Sequence, residues 1–137
     1  MNQRGFATLE VILMVMVIGI LASIAVPRFT SVTTAANTAK IQSDLSTIDT
    51  AISIYYMNEG KYPQNLSDLS DYLKDADNVK PPTGNAYIDG TATDISATSY
   101  AIQQPTSGTT DEARATLDGH TSGEFTNKKK ATSGGGS

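Results

Sequence analysis

From Phe6 to Val26 the chain runs for 21 residues with a single charged side chain, Glu10. As an α-helix such a run spans about 31 Å, which matches a hydrocarbon core of roughly 30 Å, so it is long enough to cross a bilayer. A short leader precedes it, Met1-Asn2-Gln3-Arg4-Gly5, with Arg4 as its one charged side chain, and no basic residue follows until Arg28. That distribution favours a cytoplasmic N-terminus. Glu10 is the costly position: a charged side chain at the bilayer centre costs roughly 2.5–3.5 kcal/mol on insertion scales, and an ionisable residue in such a segment points to a function and a partner.

The 137 residues leave, beyond this run, about 110 for a soluble body, enough for one small core. There is no cysteine, so neither a disulfide framework nor a cysteine-ligated metal site is available, and the body must be held by packing. The net charge is −4, and the one dense basic cluster, Lys128-Lys129-Lys130, lies near a tail rich in Gly, Ser and Thr. A general nucleic-acid surface is not expected from that pattern. His120 is the sole histidine and no Gly-rich phosphate loop follows a strand, so no catalytic constellation emerges. The chain is expected to be a non-enzyme without a cofactor.

Three readings compete for the N-terminal segment. A secretory signal peptide would use Arg4 as its basic region, Val11 to Ile20 as its apolar stretch and Ser23-Ile24-Ala25 as a small-x-small cleavage site. Against it stand Glu10 near the start of the apolar stretch, the very short leader, and a helical pattern that does not stop at Ala25. An ordinary single-pass anchor accounts for the apolar length and leaves Glu10 and Gly5-Phe6 unexplained. The third reading rests on the string Gly5-Phe6-Ala7-Thr8-Leu9-Glu10 followed by a long apolar helix. This resembles the class III signal of type IV prepilins and pseudopilins.

The resemblance implies that a membrane-embedded prepilin peptidase cuts between Gly5 and Phe6 and methylates the new amine of Phe6. It makes Glu10 the acid at the fifth mature position and Pro27 the proline often found at the twenty-second. The chain has Ala-Thr-Leu between Phe6 and Glu10 where the commonest family string is Thr-Leu-Ile. The new amine of Phe6 would pair with Glu10 of a neighbouring subunit, and because a lone buried charge is heavily penalised, that pair rewards assembly. The competing reading is that Glu10 snorkels to the headgroups.

Beyond Pro27, Ile41, Leu45, Ile48, Ile52 and Tyr55 are spaced four, three, four and three apart and predict one buried face of a helix. Lys40, Gln42, Asp44, Ser46, Asp49 and Ser53 are expected to face water, and Ala35, Ala36 and Ala39 permit close helix approach. From Phe6 to about Asn58 the helix would be about 80 Å long, with its N-terminal half projecting. Pro27, with Gly19 and Ser23 in the turns before it, predicts a kink or local melting between Gly19 and Pro27; a simple kink in a continuous helix is the expectation for an isolated subunit. Loss of helicity there on assembly is implied by the family resemblance.

Gly60 is placed as the left-handed cap that ends the helix, and Lys61-Tyr62-Pro63 leaves it as a strand or loop. The string from Tyr56 through Gly60-Lys61-Tyr62-Pro63 to Leu66, Leu69 and Leu73 again resembles pilins and type II secretion pseudopilins. Asn65 or Ser67 should cap a short helix to Leu73. After the turn-rich Pro81-Pro82-Thr83-Gly84-Asn85, strands are expected at 86–89, 99–103 and 114–117, forming a small antiparallel sheet, with Phe125 closing the core. Tyr55, Tyr56 and Tyr62 read as packing residues. Major pseudopilins carry a calcium site in a C-terminal loop, and Asp111, Glu112 and Asp118 are the weak candidates for it here, against a solvated acidic loop.

The expected architecture is therefore α+β, a long N-terminal helix with a hydrophobic protruding half and an amphipathic half packed on a small antiparallel sheet. Residues 1–5 form the leader, 6–27 the transmembrane or filament-core helix, 28–125 the amphipathic half and pilin-like body, and 126–137 a flexible tail. The expected function is that of a major type IV pilin, with Phe6, Glu10, Gly19 and Pro27 serving assembly. A major pseudopilin of a type II secretion or competence system is the alternative, and an exported or membrane-anchored binding domain the reading from a different class. The implied partners are identical subunits, the prepilin peptidase, an inner-membrane assembly platform and, before assembly, the membrane. The implied location is the cytoplasmic membrane as precursor, then an extracellular or envelope-spanning filament.

Overall fold

The computed structural model describes residues 3–131. The chain divides into two units, one up to Thr33 and one from Thr34 onward. A single helix, α1 (Gln3–Glu59), contributes to both.

In the first unit every described side chain from Gly5 to Val26 is exposed. Its hydroxyls fold back on their own helix: Thr8 Oγ1 donates to the Arg4 carbonyl at 2.9 Å, Ser23 Oγ to the Ile20 carbonyl at 2.7 Å, and Ser31 Oγ to the Arg28 carbonyl at 2.9 Å. Such bonds satisfy polar groups within an apolar helix without a solvent partner. The helix is unbroken through Gly19 and residue 27, so no melted turn separates them in this state.

The second unit is built on the remainder of α1. Ile41, Leu45, Ile48 and Ile52 are all buried, as the spacing predicts, and the stripe extends back through buried Thr38 and Thr34, three and then four residues earlier. The Gly60 N–H donates to the Tyr56 carbonyl at 2.9 Å, and Gly60 takes φ 69°, a left-handed conformation that glycine adopts without a Cβ penalty. The short helix expected up to Leu73 is instead a 3₁₀ turn, Leu66–Leu69, capped by Asn65, then turns and a second 3₁₀ turn at Ala76–Asn78. Asp68 Oδ2 accepts from the N–H groups of Gln64 and Asn65 at 2.8 and 3.1 Å, tightening the first turn. Leu69 and Leu73 still reach the core, and Tyr72 meets Tyr55 edge-on at 5.7 Å.

In place of one sheet there are two, each of two antiparallel strands. β1 (Gly84–Ile88) pairs with β2 (Thr91–Ile95), and β3 (Ala101–Gln103) with β4 (Arg114–Thr116). β2 was not among the expected strands; its signal is Asp89-Gly90, a two-residue hairpin turn with φ of 46° and 83°. Asp118-Gly119 makes a second such turn, at φ 49° and 81°, between the bridged residues Leu117 and His120.

The charged flank of α1 is also corrected. Asp44 and Asp49, expected to face water, are only 20% exposed and bind the strand region. Asp44 Oδ2 accepts the Tyr100 hydroxyl at 2.6 Å, and Asp49 Oδ1 accepts the Ala115 N–H of β4 at 2.7 Å while Oδ2 meets Arg114 Nε at 3.2 Å. Thr38 Oγ1 accepts the Tyr87 N–H of β1 at 2.8 Å, and Asn37 Nδ2 donates to the carbonyls of Thr83 and Asn85 at 3.1 and 3.0 Å. The reason is geometric: a two-stranded sheet leaves edge N–H and C=O groups unpaired, and α1 supplies partners.

Phe125 is fully buried and closes this core as expected. The segment that follows, assigned to the tail by sequence, begins against the first hairpin. Asp89 N–H donates to the Glu124 carbonyl at 2.8 Å and Gly90 N–H to the Thr126 carbonyl at 2.9 Å. The Gly134-Gly135-Gly136 stretch and the first two leader residues lie outside the described residues.

Candidate functional site

Gly5, Phe6 and Glu10 all lie within the first turns of α1. Phe6 and Glu10 are four residues apart, so one helical turn places them on the same face. Phe6 is 72% exposed, and Glu10 borders a shallow apolar groove with Leu13, Met14, Val17 and Ile18. No other carboxylate occurs before Asp44. In the uncut chain the Phe6 nitrogen is an ordinary peptide amide; severing the Gly5-Phe6 bond would turn it into a cation one turn from the carboxylate. Gly19 lies farther along the helix, and a Cβ there would meet nothing within 4 Å.

The surroundings are as informative as the charge. Leu9 through Val26 expose large apolar side chains on all sides, each more than half accessible. Apolar surface of that extent on a soluble chain marks an interaction surface, and this helix is long and apolar enough to cross a membrane by length and composition.

The weak calcium candidates are not brought together. Among the described residues no group of three or more His, Cys, Asp or Glu side chains is placed to hold a metal ion. Asp118 is used locally instead: Oδ2 accepts the N–H groups of Ser96 and Ala97 at 3.1 and 3.3 Å, and Oδ1 meets Ser96 Oγ at 3.2 Å. Asp111 and Glu112 are exposed and line an open polar pocket with Gln103, Thr106 and Arg114. Lys128, Lys129 and Lys130 are exposed as well.

Tyr100 and Glu124 are perturbed for structural reasons. Burial raises the Tyr100 hydroxyl, and its hydrogen bond to Asp44 adds to the effect. Glu124 is lowered first by the Thr121 N–H bond at 2.7 Å and further by His120, whose Nδ1 stands 3.3 Å from Glu124 Oε1; burial opposes both. Tyr56 stacks on Tyr62 at 4.4 Å, as packing residues would.

Residues 28–131 match the family model described as "Type II secretion system (T2SS), protein G". Among curated relatives, the type II secretion system core protein G of Pectobacterium carotovorum subsp. carotovorum is 30% identical over 89 residues, 65% of this chain and 56% of that protein. The protein of the same name from Escherichia coli (strain K12) is 30% identical over 108 residues, 76% of this chain and 74% of its own length. The type IV major pilin protein PilE1 of Neisseria gonorrhoeae is 32% identical over 63 residues, covering 46% of this chain and 38% of the pilin. The chain spans between 44% and 59% of the lengths of the first three relatives. No solved structure matches it significantly.

Proposed function

Because this chain belongs to the type II secretion system protein G family, we propose that it is a structural, non-catalytic subunit of a pilin-type filament, a type IV pilus or its type II secretion counterpart. The observation that carries the proposal is a membrane-length apolar helix, exposed on all sides, with one carboxylate a turn away from Phe6. Before assembly a bilayer covers this surface, with the N-terminus cytoplasmic; in the filament, the helices of other copies cover it.

The mechanism follows from the placement of charge. A prepilin peptidase cuts between Gly5 and Phe6 and methylates the new amine, and an inner-membrane platform extracts the subunit. In the helix bundle a Glu10 carboxylate buried alone would be heavily penalised, whereas opposite the Phe6 amine of a neighbour it forms a charge-assisted bond. That condition selects one axial offset between helices. Gly19 and Pro27 supply the segment that adjusts as the helices repack, since proline offers no N–H to the carbonyl four residues earlier.

The two kinds of filament share this mechanism. The match of the body to protein G favours a secretion filament about as well as the likeness to PilE1 favours a surface pilus. Mass spectrometry of the mature chain should find a methylated N-terminus at Phe6, and a start at Val26 would overturn the proposal. Electron microscopy of sheared surface material should show filaments containing this chain if it builds a pilus. If it builds a secretion filament, a deletion strain should instead retain exported proteins within the envelope.

A further inference from the structure

The backbone around the lysine triplet is tied down. Lys128 N–H donates to Thr126 Oγ1 at 3.2 Å, the Thr126 carbonyl accepts the Gly90 N–H at 2.9 Å, and the Lys129 backbone lies against Gly90. The side chains of Lys128, Lys129 and Lys130 are exposed, and none of the ion pairs among the described residues includes them. Neither Asp89, at the turn of the hairpin beside them, nor Glu124, held by Thr121 and His120, pairs with them. Three adjacent like charges on a fixed backbone repel one another and attract an anionic partner.

The same segment runs back along α1 in the direction of the apolar run. Ser122 and Gly123 border one cleft with Gln42, Ser43 and Ser46, whereas Thr126 and Asn127 border the next with Ala35, Thr38 and Ala39. Each step toward Lys128 therefore moves toward the N-terminal end of the helix. Ala35 follows Val26 by nine residues, about 14 Å of helical rise. Between Glu10 and Asp44 the helix carries no acid, and its only charged residues there are Arg28 and Lys40.

We propose that Lys128, Lys129 and Lys130 dock on the anionic phosphate headgroups of the bilayer that holds α1 before assembly. Basic clusters beside a membrane helix are drawn to anionic lipid within a Debye length of the surface, and the path of the C-terminal segment brings the triplet toward that surface. A polyanion free in solution is disfavoured by comparison: it meets a chain of net charge −4, whereas the anchor holds the headgroups near the lysines at high effective concentration. The contact fixes the body against the membrane and is given up when the subunit leaves it. The proposal rests on the reading of the apolar run as a membrane anchor.

The chain has no cysteine, so Ala131→Cys gives one thiol for a fluorophore beside the triplet. The full-length chain is placed in phosphatidylcholine vesicles, with or without phosphatidylglycerol, that carry a headgroup spin label as quencher. Three lysines near an anionic surface favour contact on the order of a hundredfold, so quenching should be strong only with phosphatidylglycerol and should be lost near 1 M salt, where the Debye length is about 3 Å. Replacing Lys128, Lys129 and Lys130 together by Gln should reduce quenching to the phosphatidylcholine level without changing the melting temperature, while Lys74→Gln, at an exposed position elsewhere, should leave it intact. Equal quenching in both vesicles, persistent quenching in the triple variant, or displacement of the label from the vesicles by short duplex DNA would overturn the proposal. Failure of the wild-type chain to float with phosphatidylcholine vesicles would instead remove the membrane reading and this contact with it.

Discussion

Gly90→Ala measures how firmly the C-terminal segment is held against the first hairpin. Gly90 has φ 83°, and a Cβ built there would lie 2.8 Å from the Lys129 nitrogen, 3.1 Å from its Cα and 3.2 Å from the Lys128 carbonyl carbon. All three are backbone atoms, so the obstruction cannot be relieved by a rotamer change. The left-handed conformation costs an alanine about 1–2 kcal/mol. Displacing the segment further breaks the bonds from Gly90 N–H to Thr126 and from Asp89 N–H to Glu124, each worth ~0.5–1.5 kcal/mol. The sum is about 2–5 kcal/mol, a large fraction of the ~5–15 kcal/mol typical of a domain. Gly108→Ala is the internal reference: φ there is 91°, yet nothing lies within 4 Å of the added methyl group, so only the conformational ~1–2 kcal/mol should appear. Denaturant unfolding of the full-length chain in detergent, followed by near-ultraviolet circular dichroism of the tyrosines, gives both numbers. Equal destabilisation by the two substitutions would refute the assignment of the C-terminal segment as a structural strap.

Glu10→Gln should be expressed and processed normally but polymerise poorly, because an uncharged amide forfeits the pairing with the Phe6 amine; undiminished filaments by electron microscopy would count against the register role. Thr38→Val keeps the side-chain shape and removes the acceptor of the Tyr87 N–H; a cost of about 1–3 kcal/mol is expected, with faster amide exchange at Tyr87 as its local signature. Glu124 is lowered in the folded state, so its stabilising contribution is present above the ordinary glutamate value and is lost as the pH falls through it toward the folded value. The body of Glu124→Gln should accordingly lose less stability than wild type on acidification below about pH 4.3, as read from melting temperatures across that range.

What was legible in the sequence was whatever depended on period or on a single strong local rule. Ile41 to Ile52 announce a buried helical stripe, Gly60 a left-handed cap, and Phe125 is a large apolar residue in a stretch with few others. Thr34 and Thr38 extend the stripe but carry hydroxyls, so hydropathy passes over them; only their four-residue step identifies them. β2 is hidden for the same reason, since Thr91-Ala92-Thr93-Asp94 lacks large apolar residues, although the Asp89-Gly90 dipeptide before it is a strong hairpin signal. Asp44 and Asp49 look like solvated charges until the positions of Tyr100 and the edge of β4 are known, because their partners are a tyrosine and a backbone amide far along the chain. In the candidate site, Gly5, Phe6 and Glu10 stand out in the sequence through the resemblance of Gly5-Phe6-Ala7-Thr8-Leu9-Glu10 to a prepilin signal and through the single acid in a long apolar run.

The attachment of both hairpins to one helix also sets an order of events for folding. An isolated two-stranded hairpin is marginal in water, and β1 and β4 take bonds from Asn37, Thr38 and Asp49 on a helix that must already be formed to present them. Local helix formation takes microseconds or less, whereas long-range strand docking must first close loops of dozens of residues. α1 is therefore the template on which the body assembles, and the rate of that assembly is sensitive to helix propensity between Thr34 and Glu59 more than to turn chemistry in either hairpin.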